Sequence, residues 1–221
     1  MLRHLGTKRT SAHNVKLATL LGLTAGFVNA AGFLAFSVLT TNVTGHAALF
    51  AERIASGDWK TARVVALWMF LFLAGAFFSS LIVSRIGRNQ RFSYTIPIMI
   101  EMAILIAIAV FGFNYNGSLV DKEVYAGSLL FSMGMQNSLV SIVSGSVVRT
   151  THLTGTFTDL GIELGQLLQK DRKDRSALRS KIRLRSTIIF YFMAGALAGA
   201  YLFRYLVSIL FFCLLQYSYL Y

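Results

Sequence analysis

No charged side chain occurs between Lys16 and Glu52, and uncharged or nearly uncharged runs of bilayer-crossing length recur along the rest of the chain. Hydrocarbon offers no partner for a peptide N–H or C=O, so an apolar run of about 20 residues that enters it must make its own backbone hydrogen bonds, and a helix does so. Six spans are predicted on this basis: 17–38, 64–84, 94–113, 124–147, 186–203 and 205–221. The last two meet at Arg204 and require a tight turn there. Two shorter apolar stretches, 46–56 and 156–169, cannot cross alone and are read as interfacial or re-entrant helices. The expected fold is therefore all-α, a single polytopic membrane domain over 1–221. The first apolar run reaches Leu39, well beyond the ~7–15 residues of a cleaved signal, and is read as a retained span.

Charge sets the expected orientation. The net charge is +12, from 21 Lys and Arg against 9 Asp and Glu. In a soluble protein that excess would suggest nucleic acid, but here the cations fall between spans. With the N-terminus inside, 16 of them lie on the cytoplasmic side, including the run "KDRKDRSALRSKIRLR" at 170–185, and 5 lie outside. That bias predicts an inner-membrane protein with both termini cytoplasmic. The basic run is expected to meet anionic lipid. Cys213 is the sole cysteine, which excludes an internal disulfide and a cysteine-based metal cluster. No His-Glu-x-x-His pattern, phosphate-binding loop or nucleophile elbow occurs. Neither a metal, a cofactor nor an enzymatic activity is expected.

Two short polar segments are spelled alike. "TTNVTGHAALF" (40–50) follows "GFVNAAGF" (26–33), and "RTTHLTGTFTDL" (149–160) follows "GMQNSLVS" (134–141). "FLAGAF" (72–77) is echoed by "FMAGAL" (192–197). The echoes keep the same order, which divides the chain into repeats at about 17–113 and 124–221. A unit of three spans is odd, so its second copy starts on the opposite face. The expectation is an inverted repeat, the sequence pointer to a transporter's binding site when matched helices are broken. "GLTAG" (22–26) and "GALAG" (195–199) are read as small-residue contacts between helices.

Candidate binding residues follow. Thr41, Asn42, Thr44 and His46 in the first segment, with Thr150, Thr151, His152, Thr154 and Thr156 in the second, supply donors and acceptors at the breaks. Gly45 and Gly155 are read there as residues that admit unusual backbone angles. The competing reading is that each segment caps the helix after it. Asn29, Gln136 and Asn137 lie within spans and can bond a neighbouring helix or a solute. Glu101 is the one acid well inside a span and is a candidate for proton coupling, with a neutral hydrogen-bonded carboxyl as the alternative. Asp159 and Glu163 share one helical face; they pair with the basic run or contribute to ion coordination.

At "GFVNAAGFLAF", "TTNVTGHAALF", "SMGMQNSLVS" and "RTTHLTGTFTDLG" the chain resembles the YoaK family of bacterial membrane proteins, and the likeness extends over nearly its whole length. The resemblance implies a six-span inner-membrane protein of transporter type without naming a substrate. Members usually carry Asp at the place of Asn29 and Asn at the place of His46, so this chain lacks one membrane acid. The expected function is a small secondary transporter or permease for a polar or anionic solute. Its size suggests two copies together. The alternative readings are a membrane-embedded binding or signalling protein acting through 170–185, and a membrane enzyme using His152 with Asp159 or Glu163.

Overall fold

The computed structural model describes residues 10–87, 92–112, 115, 117–169 and 175–218, with side chains as far as Leu206. Among these residues there are seven helices and no strand: α1 (Ser11–Phe36), α2 (Val43–Ala55), α3 (Trp59–Ile86), α4 (Phe92–Phe111), α5 (Leu119–Ser144), α6 (Leu153–Leu167) and α7 (Arg175–Ser218). Five are long and apolar enough to cross a membrane: α1, α3, α4, α5 and α7. The chain is thus an all-helical polytopic membrane protein. α2 and α6 are the two short helices expected after the Thr-Gly motifs, each beginning a few residues earlier than the apolar pattern suggested.

Two expectations fail in α7. The predicted turn at Arg204 is not formed, and α7 runs unbroken from Arg175 to Ser218. A single arginine does not interrupt a helical ladder, and no proline or glycine lies near enough to stop it. The basic run is also no loop from 175 onward, because 175–185 forms the opening turns of α7. Residues 170–174 lie outside the described residues.

Glycines set the packing. A Cβ on Gly26 would overlap the carbonyl oxygen of Phe192, and one on Gly195 would overlap that of Leu23, so α1 and α7 touch backbone to backbone. Gly22 lies near Ile188 and Phe192, and Gly199 near Phe27. The contacts advance together along both helices, so α1 and α7 run parallel. The small-residue reading of 22–26 and 195–199 therefore holds. The other close pair is built alike: a Cβ on Gly134 would overlap Phe72 O, and one on Gly75 would overlap Phe131 O, joining α5 to α3. Dispersion between closely approaching backbones drives such association where no hydrophobic effect operates.

α1 and α5 cross between these pairs. Gln136 Nε2 donates to Leu21 O at 2.7 Å, while a Cβ on Gly32 would lie 3.1 Å from Leu129 Cδ1. Position numbers rise on one helix as they fall on the other, so this crossing is antiparallel, with its midpoint near Gly26 and Met133. Two buried clusters flank it. One gathers Val28, Phe36, Val38, Val64 and Trp68 with Leu129. The other gathers Leu17, Leu139, Val148, Leu184 and Ile188. α4 lies across α5 and α3, α2 packs on α3, and α6 packs on α7.

Candidate functional site: two matched helix returns

Beyond the crossing, α1 and α5 end in the same manner. Ser37 closes α1 in the left-handed conformation (φ 57°), and Gly145 closes α5 likewise (φ 63°). This geometry reverses the chain after a helix. In the residues that follow, Val38 and Thr40 after α1 and Val148 and Thr150 after α5 are buried, all at most 4% exposed.

Each return is then held by an asparagine of the helix it has just left. Asn29 Oδ1 accepts from Thr41 N at 3.1 Å and Thr41 Oγ1 at 3.0 Å. Asn137 Oδ1 accepts from Thr151 Oγ1 at 2.9 Å. Asn29 precedes Phe36 by seven residues, as Asn137 precedes Ser144. The chain thus travels back along its own helix by about 10 Å at 1.5 Å per residue. Both asparagines lie within about one turn, ~5.4 Å, of the α1–α5 midpoint, on opposite sides of it. Two short helices therefore begin deep in the bundle rather than at its ends.

The Thr-Gly residues serve these beginnings. Asn42 is the N-cap of α2, its Oδ1 accepting from Gly45 N at 3.0 Å. His152 holds the same position before α6 but makes no side-chain cap bond; its carbonyl accepts from Thr156 Oγ1 at 2.9 Å. Gly45 and Gly155 are helical, which corrects their reading as residues of unusual backbone angle. Their reason is steric. A Cβ on Gly45 would lie 2.6 Å from Asn42 Nδ2, and one on Gly155 would overlap the His152 ring. Thr44 and Thr154 are exposed in the first turns, as are Asn42 and His152. His46 is buried and meets Trp68 edge-on at 5.7 Å.

Several candidates are not brought together. α2 packs on α3 and α6 on α7, so the two sets of motif residues stand on different flanks of the α1–α5 pair. Gln136 reaches α1 through Leu21 O rather than through Asn29. Glu101 is buried, 5% exposed, on α4, which packs on α5 and α3. Asp159 and Glu163 face α7, where Arg185 lies 3.0 Å from Asp159 Oδ2 and 3.8 Å from Glu163 Oε1. The pairing with the basic run is the reading that the geometry favours. Burial pushes the Glu163 carboxyl above its ordinary range, with the Arg185 guanidinium opposing that shift. Arg185 also donates to Val147 O at 3.4 Å, tying α7 to the second return.

Of the buried polar atoms, sequence reasoning passed over Thr40 and Ser132, while Thr150 and Gln136 were among its candidates. Thr40 and Thr150 are fully buried, and neither hydroxyl has a hydrogen-bond partner among the described residues; the same is true of Ser132 Oγ and Gln136 Oε1. Thr40 and Thr150 stand at the same place in the two returns, each two residues before an N-cap. That shared position was the available signal. Ser132 and Gln136 lie four apart, on one face of α5.

The sequence matches the family described as "Protein of unknown function (DUF1275)" over residues 17–218. It is also 26% identical over 191 residues to the UPF0700 transmembrane protein YoaK of Bacillus subtilis (strain 168), covering 86% of this chain and 84% of that protein. No solved structure matches.

Proposed function

The chain belongs to the DUF1275 family, and on that premise we propose that it is a small secondary transporter or permease for a polar or anionic solute, not an enzyme. The observation that carries this reading is the pair of returns. Each delivers a helix N-terminus, with its uncommitted N–H groups and positive dipole end, to within a turn of the α1–α5 midpoint. Each return also carries, two residues before the N-cap, a buried threonine hydroxyl with no partner among the described residues. A buried hydroxyl without a partner costs about 1–3 kcal/mol, which a hydrogen-bonding solute would offset. Thr40 and Thr150 thus join Asn29, Thr41, Asn137 and Thr151 as the residues of the site. Uncharged donors at two positive helix ends favour solutes rich in acceptor oxygens.

We read the two halves as inverted repeats that rock against each other. In support, the contact of Gly26 with Phe192 is matched by that of Gly134 with Phe72, and Gly195 with Leu23 by Gly75 with Phe131. The returns after α1 and α5 are matched at their ends, each held by an asparagine seven residues before the helix end, the second return being two residues longer. The charge bias supports a cytoplasmic start of α1 in an inner-membrane protein, with the exposed Arg179, Lys181 and Arg183 of α7 available to anionic headgroups on the same side. Two copies side by side are the working assembly in this reading.

Proteoliposomes containing only this protein test the proposal through uptake of a panel of small anions and polar metabolites. Thr40→Val and Thr150→Val should each leave the fold intact and weaken transport about tenfold, the loss expected for one neutral hydrogen bond near 1.4 kcal/mol. Unchanged transport in both would show that the hydroxyls do not meet the solute. Glu101 is the proposed proton-coupling group. Glu101→Gln should make uptake indifferent to an imposed pH gradient, and a wild-type response would remove Glu101 from the mechanism.

A further inference from the structure

α2 and α3 are joined by a short turn, and α2 packs on α3. His46 precedes Gly57 in that turn by eleven residues and Trp68 follows it by eleven, so the two stand opposite each other. Their rings meet edge-on, with centroids 5.7 Å apart and planes inclined by 61°. Each residue is 5% exposed. Neither His46 Nδ1 nor Trp68 Nε1 has a hydrogen-bond partner among the described residues. Trp68 belongs to the apolar cluster of Val64, Val65 and Leu130.

This contact suits a neutral imidazole. A second ring proton finds no acceptor in Trp68, whose one polar atom, Nε1, is itself a donor. No charge close by compensates an imidazolium either. On α2, Glu52 and Arg53 lie about 9 and 10 Å further along the helix; Arg53 is paired with Glu52 at 3.0 Å and with Asp58 at 3.7 Å. On α3, Lys60 and Arg63 precede Trp68 by about 12 and 7 Å, and Arg63 is held by Glu123 of α5 at 3.9 Å. Tyr125 of α5 donates its hydroxyl to Phe111 O at 2.8 Å, and Glu101 lies on α4, which packs on α5 and α3. α1 carries no charge after Lys16. His46 also follows the N-cap Asn42 by one turn, where the positive end of the helix disfavours a cation. Burial holds its pKa below the ordinary imidazole value. The second half has no such group: Thr156 takes the corresponding place after Gly155, buried, its hydroxyl donating to His152 O at 2.9 Å.

We infer that His46 is a proton site that switches the first return. Neutral, the ring seals α2 against α3; protonated, it leaves Trp68 and the start of α2 comes away. The second return, with Thr156 in that place, does not respond. Because burial disfavours the charged ring, the closed contact binds the proton more weakly than the open one. Closure is therefore fully favoured above about pH 6.5, the ordinary imidazole value. It weakens by up to about tenfold per pH unit below that as one proton is taken up, and levels off below the closed form's own pKa. The switch is a property of the fold and stands whether or not the protein moves a solute.

Trp59 and Trp68 are the two tryptophans of the chain, and Trp59 is 67% exposed at the start of α3. Trp59→Phe therefore makes the emission a report on Trp68 alone. The full-length Trp59→Phe protein in detergent is titrated downward from about pH 8 to about pH 5, across the imidazole range. The expected result is a one-proton transition below about pH 6.5 in which Trp68 emission moves to longer wavelength as the indole meets water. Adding His46→Gln, which carries no charge at any of these pH values, should leave the emission flat, whereas adding His152→Gln should leave the transition in place. A transition that survives His46→Gln, or flat emission in Trp59→Phe itself, overturns the inference. Loss of intensity without the wavelength shift overturns it too, since the ring then takes its proton without leaving. Hydrogen exchange on the unmodified protein needs no variant. Between about pH 7 and about pH 5, corrected for intrinsic rates, protection of residues 43–50 should fall at least about tenfold, while that of 153–160 is unchanged. An equal fall in both short helices would mean general loosening in acid and no switch at His46.

Discussion

Gly26→Leu is expected to lower the stability of the protein in detergent by about 3 kcal/mol, the upper end of the range for overpacking a filled interface. Gly134→Leu should do the same. The obstruction at each position is the carbonyl of a neighbouring helix, Phe192 in one case and Phe72 in the other. A flexible side chain could turn aside; a helical backbone cannot, so the axes must separate and their dispersion contacts are lost. Gly161 and Gly165 supply the contrast, because a Cβ at either would meet nothing within 4 Å. Gly161→Ala should stabilise α6 by up to about 1 kcal/mol through helix propensity. Unfolding midpoints of the four proteins decide the matter. If Gly26→Leu and Gly161→Ala moved the midpoint alike, the close approach of α1 to α7 would not be what holds the bundle together.

The second large effect concerns the returns. Asn29→Leu removes the acceptor used by both Thr41 N and Thr41 Oγ1. Leaving such donors unpaired inside the bundle costs about 2 kcal/mol. The side chain that pins the start of α2 near the α1–α5 midpoint is lost as well. Solute flux should fall by at least about 100-fold, since misplacing a binding group by about 1 Å can cost that much in rate. Asn137→Leu should be milder in stability, because its carboxamide accepts from Thr151 Oγ1 alone, but equal in flux. Asn29→Asp tests the position differently. It retains an acceptor of the same shape, so the fold should survive, while a negative charge at the site should repel anions. Full flux in Asn29→Leu would mean that the return merely closes a loop.

Much of this architecture was legible in the sequence, for definite reasons. Uncharged runs of about 20 residues have few ways to satisfy their backbone, so four of the five spans fell close to where hydropathy put them. The paired returns were legible because one polar phrase recurred, in the same order, after Gly26 and Gly134. Hydropathy measured only the length of apolar sequence after Arg185 and could not say whether it turned at Arg204. The reason for Gly45 and Gly155 was hidden for a similar cause. Sequence shows that glycine is present, but only the ring of His152 and the amide of Asn42 packed over those positions reveal that the missing Cβ is the point. Thr40 was obscured by its neighbours, since burial cannot be read from a string in which threonine occurs on both sides of a turn.

The helix pairs described above do not respect the boundary between the halves: α1 is matched with α7, and α3 with α5. During synthesis α1 must therefore wait, with its glycine face turned to lipid, until α7 has been made. Quality control in the cell would see an unfinished molecule until then. A chain cut short anywhere before α7 would leave that first helix permanently without its mate.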